Sequence, residues 1–244
     1  MKTVITIEAR MKSTRLPGKV LKPILGRPMI ALMIERLKRV KFADQVVMAT
    51  TDNPADDPIV ELSHRIEVAW FRGSEVDVLD RVLQSARQAH ADLIVETTGD
   101  CPLIDPETID KVIGVFMKND VDYCSNTLKR TFPRGMDVQV FPVSVLEKVA
   151  QLTNDPADRE HVSLYIYEHP ERFRLLNVPS GLPSQAAELR LTVDTLEDFE
   201  LVKQIYEALY PVNPEFTLED IIALFKSRPE LQMINYRINQ KPIR

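Results

Sequence analysis

Val4-Ile5-Thr6-Ile7, followed by Glu8-Ala9-Arg10-Met11-Lys12-Ser13-Thr14-Arg15-Leu16-Pro17-Gly18-Lys19, is the stretch whose reading decides the fold. The apolar run has the composition of a strand buried on both faces, the habit of parallel sheets. The residues after it are too polar and too broken by turn formers to be a core element. Arg10, Lys12, Arg15 and Lys19 crowd this loop, and Pro17-Gly18 turns the chain so that Lys19 comes back toward the sheet. Open α/β sheets bind ligands outside the carboxyl ends of their strands. A basic loop at that place suits a polyphosphate, because Arg meets phosphate oxygens in pairs and Lys supplies a point charge. The plain alternative is a solvated basic loop. The strand in front and the Leu16-Pro17-Gly18-Lys19 ending favour phosphate.

Working outward, the apolar stripe Met29, Ile30, Leu32, Met33, Leu37 and Val40 predicts a helix after Pro28. Strands follow at Val46–Thr50, Glu67–Phe71 and Asp92–Glu96, with helices at Pro58–His64 and Val76–His90 between them. Each strand ends in turn residues: Thr51-Asp52-Asn53-Pro54, Arg72-Gly73-Ser74 and Thr97-Thr98-Gly99-Asp100. This β-α-β-α-β-α-β order predicts an α/β fold, Rossmann-like, with a mostly parallel sheet and helices on both faces. Asp105-Pro106 caps and opens a further helix running to about Lys118. A short strand at Asp122–Cys124 and an alternating one at Met136–Phe141, antiparallel or at an edge, make a small antiparallel extension. Beyond it the pattern predicts helices at Val143–Leu152 and Asp158–Glu168. It also predicts strands at Phe173–Val178, Leu189–Val193 and Met233–Arg237, and two terminal helices opened by Thr195-Leu196-Glu197-Asp198 and Thr217-Leu218-Glu219-Asp220. No boundary splits the 244 residues, which read as a single domain.

The apolar and charged fractions, 44% and 27%, are those of an ordinary soluble globular chain. No apolar stretch is long enough to span a membrane, and the basic start lacks the apolar core of a signal peptide. Cys101 and Cys124 form no close-spaced pair, which points to reduced thiols and a cytoplasmic location. A net charge of −5 argues against a general nucleic-acid binder. The first 41 residues nevertheless hold eleven Lys and Arg against only Glu8 and Glu35, so a local anion site fits an acidic whole.

Asp100 and Asp194 each stand at the carboxyl end of a predicted strand, and Asp105 and Thr195 already serve as the nearby caps. Two spare aspartates facing phosphates would share a divalent cation, usually Mg²⁺; the plain alternative is a pair of turn caps. Arg159-Glu160-His161 could hold a polar substrate or form a solvated first turn. His64, His90, His161 and His169 have no zinc spacing. The cysteines and Trp70 read as core. No G-x-x-x-x-G-K-[ST] or G-x-G-x-x-G is present.

Taken together, these motifs resemble one family. Ala9 to Leu21 is similar to the signature loop of the cytidylyltransferases that activate acidic sugars, the Kdo and N-acylneuraminate enzymes. The spore-coat polysaccharide biosynthesis branch of that superfamily is the most similar. Ala49-Thr50-Thr51-Asp52-Asn53, Phe71-Arg72-Gly73-Ser74-Glu75 with Val78-Leu79-Asp80-Arg81, Gly99-Asp100-Cys101-Pro102, Ser125-Asn126-Thr127, Phe132-Pro133-Arg134-Gly135-Met136-Asp137, Arg159-Glu160-His161 and Leu191-Thr192-Val193-Asp194 carry the resemblance along nearly the whole chain.

It implies a nucleotide-diphospho-sugar transferase fold. The implied activity is Mg²⁺-dependent cytidylyl transfer from CTP to an acidic sugar or sugar phosphate, releasing pyrophosphate for polysaccharide biosynthesis. Arg10, Arg15 and Lys19 would bind the triphosphate, with Ala9 and Ser13 in the same nucleotide loop. Asp100 and Asp194 would hold Mg²⁺, and Lys19, Arg15, Asp100 and Asp194 would carry catalysis. Arg72 and Gly73 would lie near the base. Asn126, Arg134, Asp137, Arg159, Glu160 and His161 would face the sugar. A homodimer is implied, with residues 122–142 reaching toward the partner.

Two departures stand out: Glu8, where the branch usually has Gln, and Lys12, where it has a small residue. Glu8 sits where the base would be read, and a carboxylate only accepts hydrogen bonds. Cytosine offers its amino group and guanine offers N1–H and its amino group together, so GTP stays open. A glycosyltransferase of the same fold, consuming a nucleotide-sugar, and an inactive nucleotide-binding module stay open beside it.

Overall fold

The computed structural model describes residues 1–241. β1 (Thr3–Glu8) lies in the middle of the sheet, and Val4, Ile5 and Ile7 have no exposed surface. Full burial of such side chains contributes roughly 1.5–3 kcal/mol each. The chain continues through a hairpin, β2 (Pro23–Ile24) and β3 (Arg27–Pro28), into α1 (Met29–Leu37). Next come β4 (Gln45–Thr51), α2 (Asp57–Arg65), β5 (Ala69–Gly73), α3 (Val78–Gln88), β6 (Leu93–Thr98) and α4 (Pro106–Met117). β7 (Tyr123–Ser125), β8 (Gln139–Pro142), α5 (Val143–Leu152), α6 (Pro156–Glu160), α7 (Leu164–Glu168) and β9 (Leu175–Asn177) complete the sheet region. α8 (Leu196–Leu209) and α9 (Leu218–Ser227) close the chain.

The seven-stranded sheet has the order β5-β4-β1-β6-β8-β7-β9. β1 pairs in parallel with both β4 and β6, and β4 with β5, as the helical crossovers require. β8 is antiparallel to β6 and to β7, because the chain returns from β7 through a loop and not through a helix. One face packs Ile5, Ile7 and Met48 with Ile30, Ile34, Ile59, Ile109 and Ile113 of α1, α2 and α4. The other packs Ile94 and Phe141 with Leu79, Val82 and Leu83 of α3 and Leu146 of α5. A third apolar cluster joins α8 and α9 to Leu191, Val193, Met29 and Leu103. Strand order reverses between β1 and β6. The crevice at their carboxyl ends is therefore the place where such a sheet takes a ligand.

The structure departs from the sequence reading in four places. Leu189–Val193 is extended but joins no sheet. It pairs instead with loops, through Leu191 N to Arg134 O at 2.7 Å and Val193 N to Asp100 O at 2.7 Å. Asp158–Glu168 is two short helices, broken where Val162 takes a φ of 37° and turns its fully buried side chain inward. Met233–Arg237 is not a strand; a 3₁₀ turn ends at Met233, and the Asn235 amide is spent on Arg190 O and Asp198. The β2–β3 hairpin is an added element, turned by Leu25 and Gly26, both at positive φ as a primed two-residue turn demands. Both predicted capping boxes, at Thr195 and Thr217, are present.

Candidate active site

The loop after β1 and the loop after β6 meet at the reversal point. Gly99 N donates to Glu8 O at 2.8 Å, and a Cβ at Gly99 would stand 3.0 Å from that same oxygen, so the two strand ends approach closely only with glycine there. Gly18 has φ 69°, and its N–H donates to Met11 O at 2.9 Å, closing the basic loop on itself. This turn sets Lys19 in the interior at 9% exposure. Its Nζ donates to Asp100 Oδ2 at 3.1 Å, Asp194 Oδ1 at 3.2 Å and Val193 O at 2.7 Å. Arg15 Nη2 reaches the same Asp194 Oδ1 at 2.8 Å. Four of the predicted residues, Arg15, Lys19, Asp100 and Asp194, therefore form one contact cluster, although Asp194 follows an extended segment and not a sheet strand.

Around them is a shell that the sequence did not reveal. Arg190 Nη2 donates to Asp194 Oδ2 at 2.8 Å, and Arg190 Nε donates to Asp198 Oδ1 at 2.9 Å. Asp198, fully buried, also accepts from Asp194 N at 3.0 Å and Asn235 Nδ2 at 2.8 Å. Thr98 Oγ1 donates to Asp100 Oδ1 at 2.6 Å. Asp198 reads as a capping-box residue, and nothing local discloses its second role. Arg190 could have been noticed as a cation inside an otherwise apolar alternation.

Charge is finely balanced here. Burial works against the Lys19 ammonium, but Asp100 and Asp194 outweigh it and hold its pKa above the usual value. Burial works against the Asp194 carboxylate, and Lys19, Arg15 and Arg190 outweigh it in the other direction, so its pKa lies below the usual range. Glu8 behaves differently. Burial pushes its carboxyl up to about 8; Arg81 and Arg10 oppose the shift and Asp100 adds to it. Among the described residues its buried Oε1 has no hydrogen-bond partner. Glu96 on β6, raised by burial and by Glu8, behaves alike. Burial thus favours the neutral acid at Glu8, a form that can donate as well as accept.

The remaining predicted residues are placed as follows. Arg10 and Lys12 lie 3.9 and 3.3 Å from Glu75 across the crevice mouth. Ala9 is buried, and Ser13 shapes the loop through its N–H to Met11 O. Arg72 braces the turn after β4, donating to Thr51 O, Asn53 O and Asp57, and Gly73 O accepts from Asp52 N. Asn126 closes the 126–138 loop, donating to Met136 O and accepting from Val138 N. Asp137 takes two bonds from Arg130, at 2.6 and 2.9 Å. Arg134 pairs through its backbone with Leu189 and Leu191, and so stands beside the segment that leads to Asp194. Arg159 ties α6 to Asp77 at the start of α3, with Glu160 exposed and His161 half-buried after it. Burial raises both thiols, in keeping with inert core cysteines. Among the described residues no three His, Cys, Asp or Glu side chains gather as a metal site of their own, and no helix is long and apolar enough to cross a membrane.

A doubly covered sheet whose reversal point carries a basic loop on one lip and two aspartates on the other defines a nucleotidyltransferase. The cytidylyltransferase family model matches residues 4–240, and the chain belongs to that family. It is 37% identical over 246 residues to an uncharacterized protein of Methanocaldococcus jannaschii, covering 100% of this chain and 98% of that one. It is 33% identical over 231 residues to the spore coat polysaccharide biosynthesis protein SpsF of Bacillus subtilis, covering 92% and 94%. A cytidylyltransferase structure from Leptospira borgpetersenii superposes with a TM-score of 0.90 at 38% identity, covering 99% of each chain. A synthetase for CMP-2-keto-3-deoxy-manno-octonic acid, solved with CTP, shares the fold at a TM-score of 0.61 and 21% identity, covering 85% of this chain and 99% of its own.

Proposed function

We propose that this enzyme transfers a cytidylyl group from CTP to an oxygen of an acidic sugar or sugar phosphate and releases pyrophosphate, in the supply of activated sugars for surface polysaccharide. The observation that carries the reading is the meeting of Lys19 with Asp100 and Asp194 at the end of the basic loop. The sugar oxygen attacks the α-phosphorus in line, and the protein's work is positioning and charge neutralisation. Arg10, Arg15 and Lys19 hold the triphosphate and take up the charge of the departing pyrophosphate.

The donor set fits Mg²⁺. Asp100 and Asp194 stand on either side of the Lys19 ammonium, and a hard dication takes oxygen ligands, commonly one or two carboxylates completed by substrate phosphates. Asp100 and Asp194 would hold it, and when bound it would polarise the phosphoryl oxygens electrostatically. For the base, a neutral Glu8 sets an O–H beside a C=O, which complements the adjacent N3 acceptor and amino donor of cytosine. Guanine's two adjacent donors suit the ionised form, while its O6 and N1–H suit the neutral acid as the O4 and N3–H of uracil do. Glu8 in its neutral form is thus compatible with cytosine and does not by itself select the base.

The SpsF protein and the Kdo cytidylyltransferase of Geobacter metallireducens, 29% identical over 219 residues with 78% of this chain covered, support the sugar side of the reading. The test is a matrix of CTP, UTP and GTP against acidic and phosphorylated sugars with Mg²⁺, read by pyrophosphate release. Release with CTP supports the proposal. Release with GTP alone transfers it to guanylyl chemistry. Consumption of a nucleotide-sugar without pyrophosphate overturns it in favour of a glycosyltransferase, and no turnover favours a binding module.

A further inference from the structure

Asp56 stands at the N-cap of α2 yet gives none of its carboxylate to that helix. An aspartate at this position ordinarily accepts from the second or third helical N–H. Here the preceding turn is capped by Asn53, whose Oδ1 accepts from Ala55 N at 3.0 Å. Asp56, only 2% exposed, turns the other way. Its Oδ1 accepts from Met11 N at 2.6 Å, 45 residues earlier in the chain, and its Oδ2 accepts from the Thr51 hydroxyl at the end of β4. A buried carboxylate placed so is costly unless each oxygen is used.

Met11 is the throat of the basic loop, held by both of the peptide units it joins. Its N–H is held by Asp56, while its carbonyl accepts from Ser13 N at 3.0 Å and Gly18 N at 2.9 Å. Arg10 precedes this knot, Lys12 and Arg15 lie inside it, and Lys19 leaves it directly after Gly18. All four cations flank Met11, and this residue is tied to the sheet through Asp56 and Thr51.

We propose that Asp56 is the positioning residue of the triphosphate loop, touching no substrate itself and setting where the loop cations stand. This rests on the reading of that loop as the triphosphate site. A structural cap would protect α2; this carboxylate protects the loop.

The test uses the full chain with Asp56→Ala, Asp56→Asn and Thr51→Val, and inorganic tripolyphosphate with Mg²⁺ as the probe of the cations. Asn keeps an oxygen for the Met11 amide and can donate its NH₂ to the Thr51 hydroxyl, so it preserves both contacts. Asp56→Ala is expected to weaken tripolyphosphate binding roughly ten- to hundredfold, and Asp56→Asn is expected to stay within about threefold of the unaltered chain. In the same proteins, amide hydrogen exchange at Met11 and Gly18 is expected to speed up at least about tenfold in Asp56→Ala, while Ile5 and Ile7 in β1 keep their protection. Thr51→Val shows the same pattern in weaker form and serves if Asp56→Ala does not fold. Unchanged exchange at Met11 in Asp56→Ala, or in Thr51→Val, overturns the proposal. So does loss of protection spread evenly over loop and sheet, or a failure of Asp56→Asn to rescue. If the unaltered chain binds no tripolyphosphate, the reading of the loop fails, and the exchange data alone decide whether Asp56 fixes it.

Discussion

Glu8→Gln isolates the ionisation of one carboxyl beneath the nucleotide loop. In the folded chain burial holds Glu8 up to about 8, whereas an unfolded glutamate ionises near its ordinary value of 4.5. Between those two pH values the folded state keeps a proton that the unfolded state has released. Stability therefore falls as pH rises through this window, by about 1.4 kcal/mol per pH unit for one proton. The contribution is complete below the unfolded value and is gone once pH passes the folded one. The amide of Gln has nearly the same shape and cannot ionise. In the difference between the two proteins the other titrating groups cancel, apart from Glu96, which Glu8 itself raises. From pH 6 to pH 9 the Gln variant is expected to gain roughly 2–3 kcal/mol on the unaltered chain, while near pH 5 the two differ little. Urea unfolding followed by the fluorescence of Trp70, the single tryptophan, at unit steps of pH measures this. The same titration of KM for CTP should show weakening above pH 8 in the unaltered enzyme alone. Parallel stability curves across pH 6–9 would refute the reasoning, since they would mean that Glu8 is ionised throughout.

Three further substitutions probe the cluster. Asp198→Ala leaves the Arg190 guanidinium, itself 9% exposed, with Asp194 alone and takes the acceptor from the Asp194 N–H; it is expected to cost about 2–4 kcal/mol and lower Tm by roughly 10 °C in a thermal scan. Gly135→Ala puts a Cβ 2.6 Å from the Leu191 carbonyl carbon at a φ of 96°; a loss of roughly 1–3 kcal/mol should appear in urea unfolding, with lowered turnover because the segment leading to Asp194 must shift. Asp100→Ala keeps Lys19 paired with Asp194, so the fold should survive by circular dichroism while pyrophosphate release falls at least about a hundredfold. Chelation by EDTA should abolish release in the unaltered enzyme and added Mg²⁺ restore it, and turnover that persists in EDTA would remove the metal from the proposal.

Much of this fold is legible because its signals are local. The run Val4–Ile7, the Pro17-Gly18 turn and the Thr195 and Thr217 caps each declare themselves within a few residues, and each is found where the sequence puts it. Leu189–Val193 shows where this stops. Leu189, Leu191 and Val193 do pack into one apolar cluster, but Arg190 and Thr192 between them are buried too, because periodicity names no partner and the partners are loops at Arg134 and Asp100. Val162 makes the same point in reverse. A helical stripe predicts its burial, and the chain achieves that burial by breaking the helix at a φ a β-branched residue rarely takes.

The candidate site divides in a similar way. Arg15, Lys19, Asp100 and Asp194 could be nominated because strand ends in an open sheet share one rim. Asp56 and Asp198 could not, because Met11 and Asn235 lie 45 and 37 residues away along the chain and only the fold brings them into contact, while Arg190 left the one local trace of a cation set between apolar residues. The sequence also misses the pairing of opposite charges across the crevice. Every loop cation already has a carboxylate: Glu75 for Arg10 and Lys12, Asp194 for Arg15, and Asp194 with Asp100 for Lys19. A triphosphate entering this crevice exchanges one set of anions for another, so its affinity is a difference between two strong terms. On that ground Glu75→Gln, which weakens the resident pairing at the exposed lip without touching Asp100 or Asp194, should tighten nucleotide binding. Tightening by a few-fold is the expected result, and it should shrink as salt screens both pairings. A weaker binder would mean that Glu75 serves the bound nucleotide and does not compete with it.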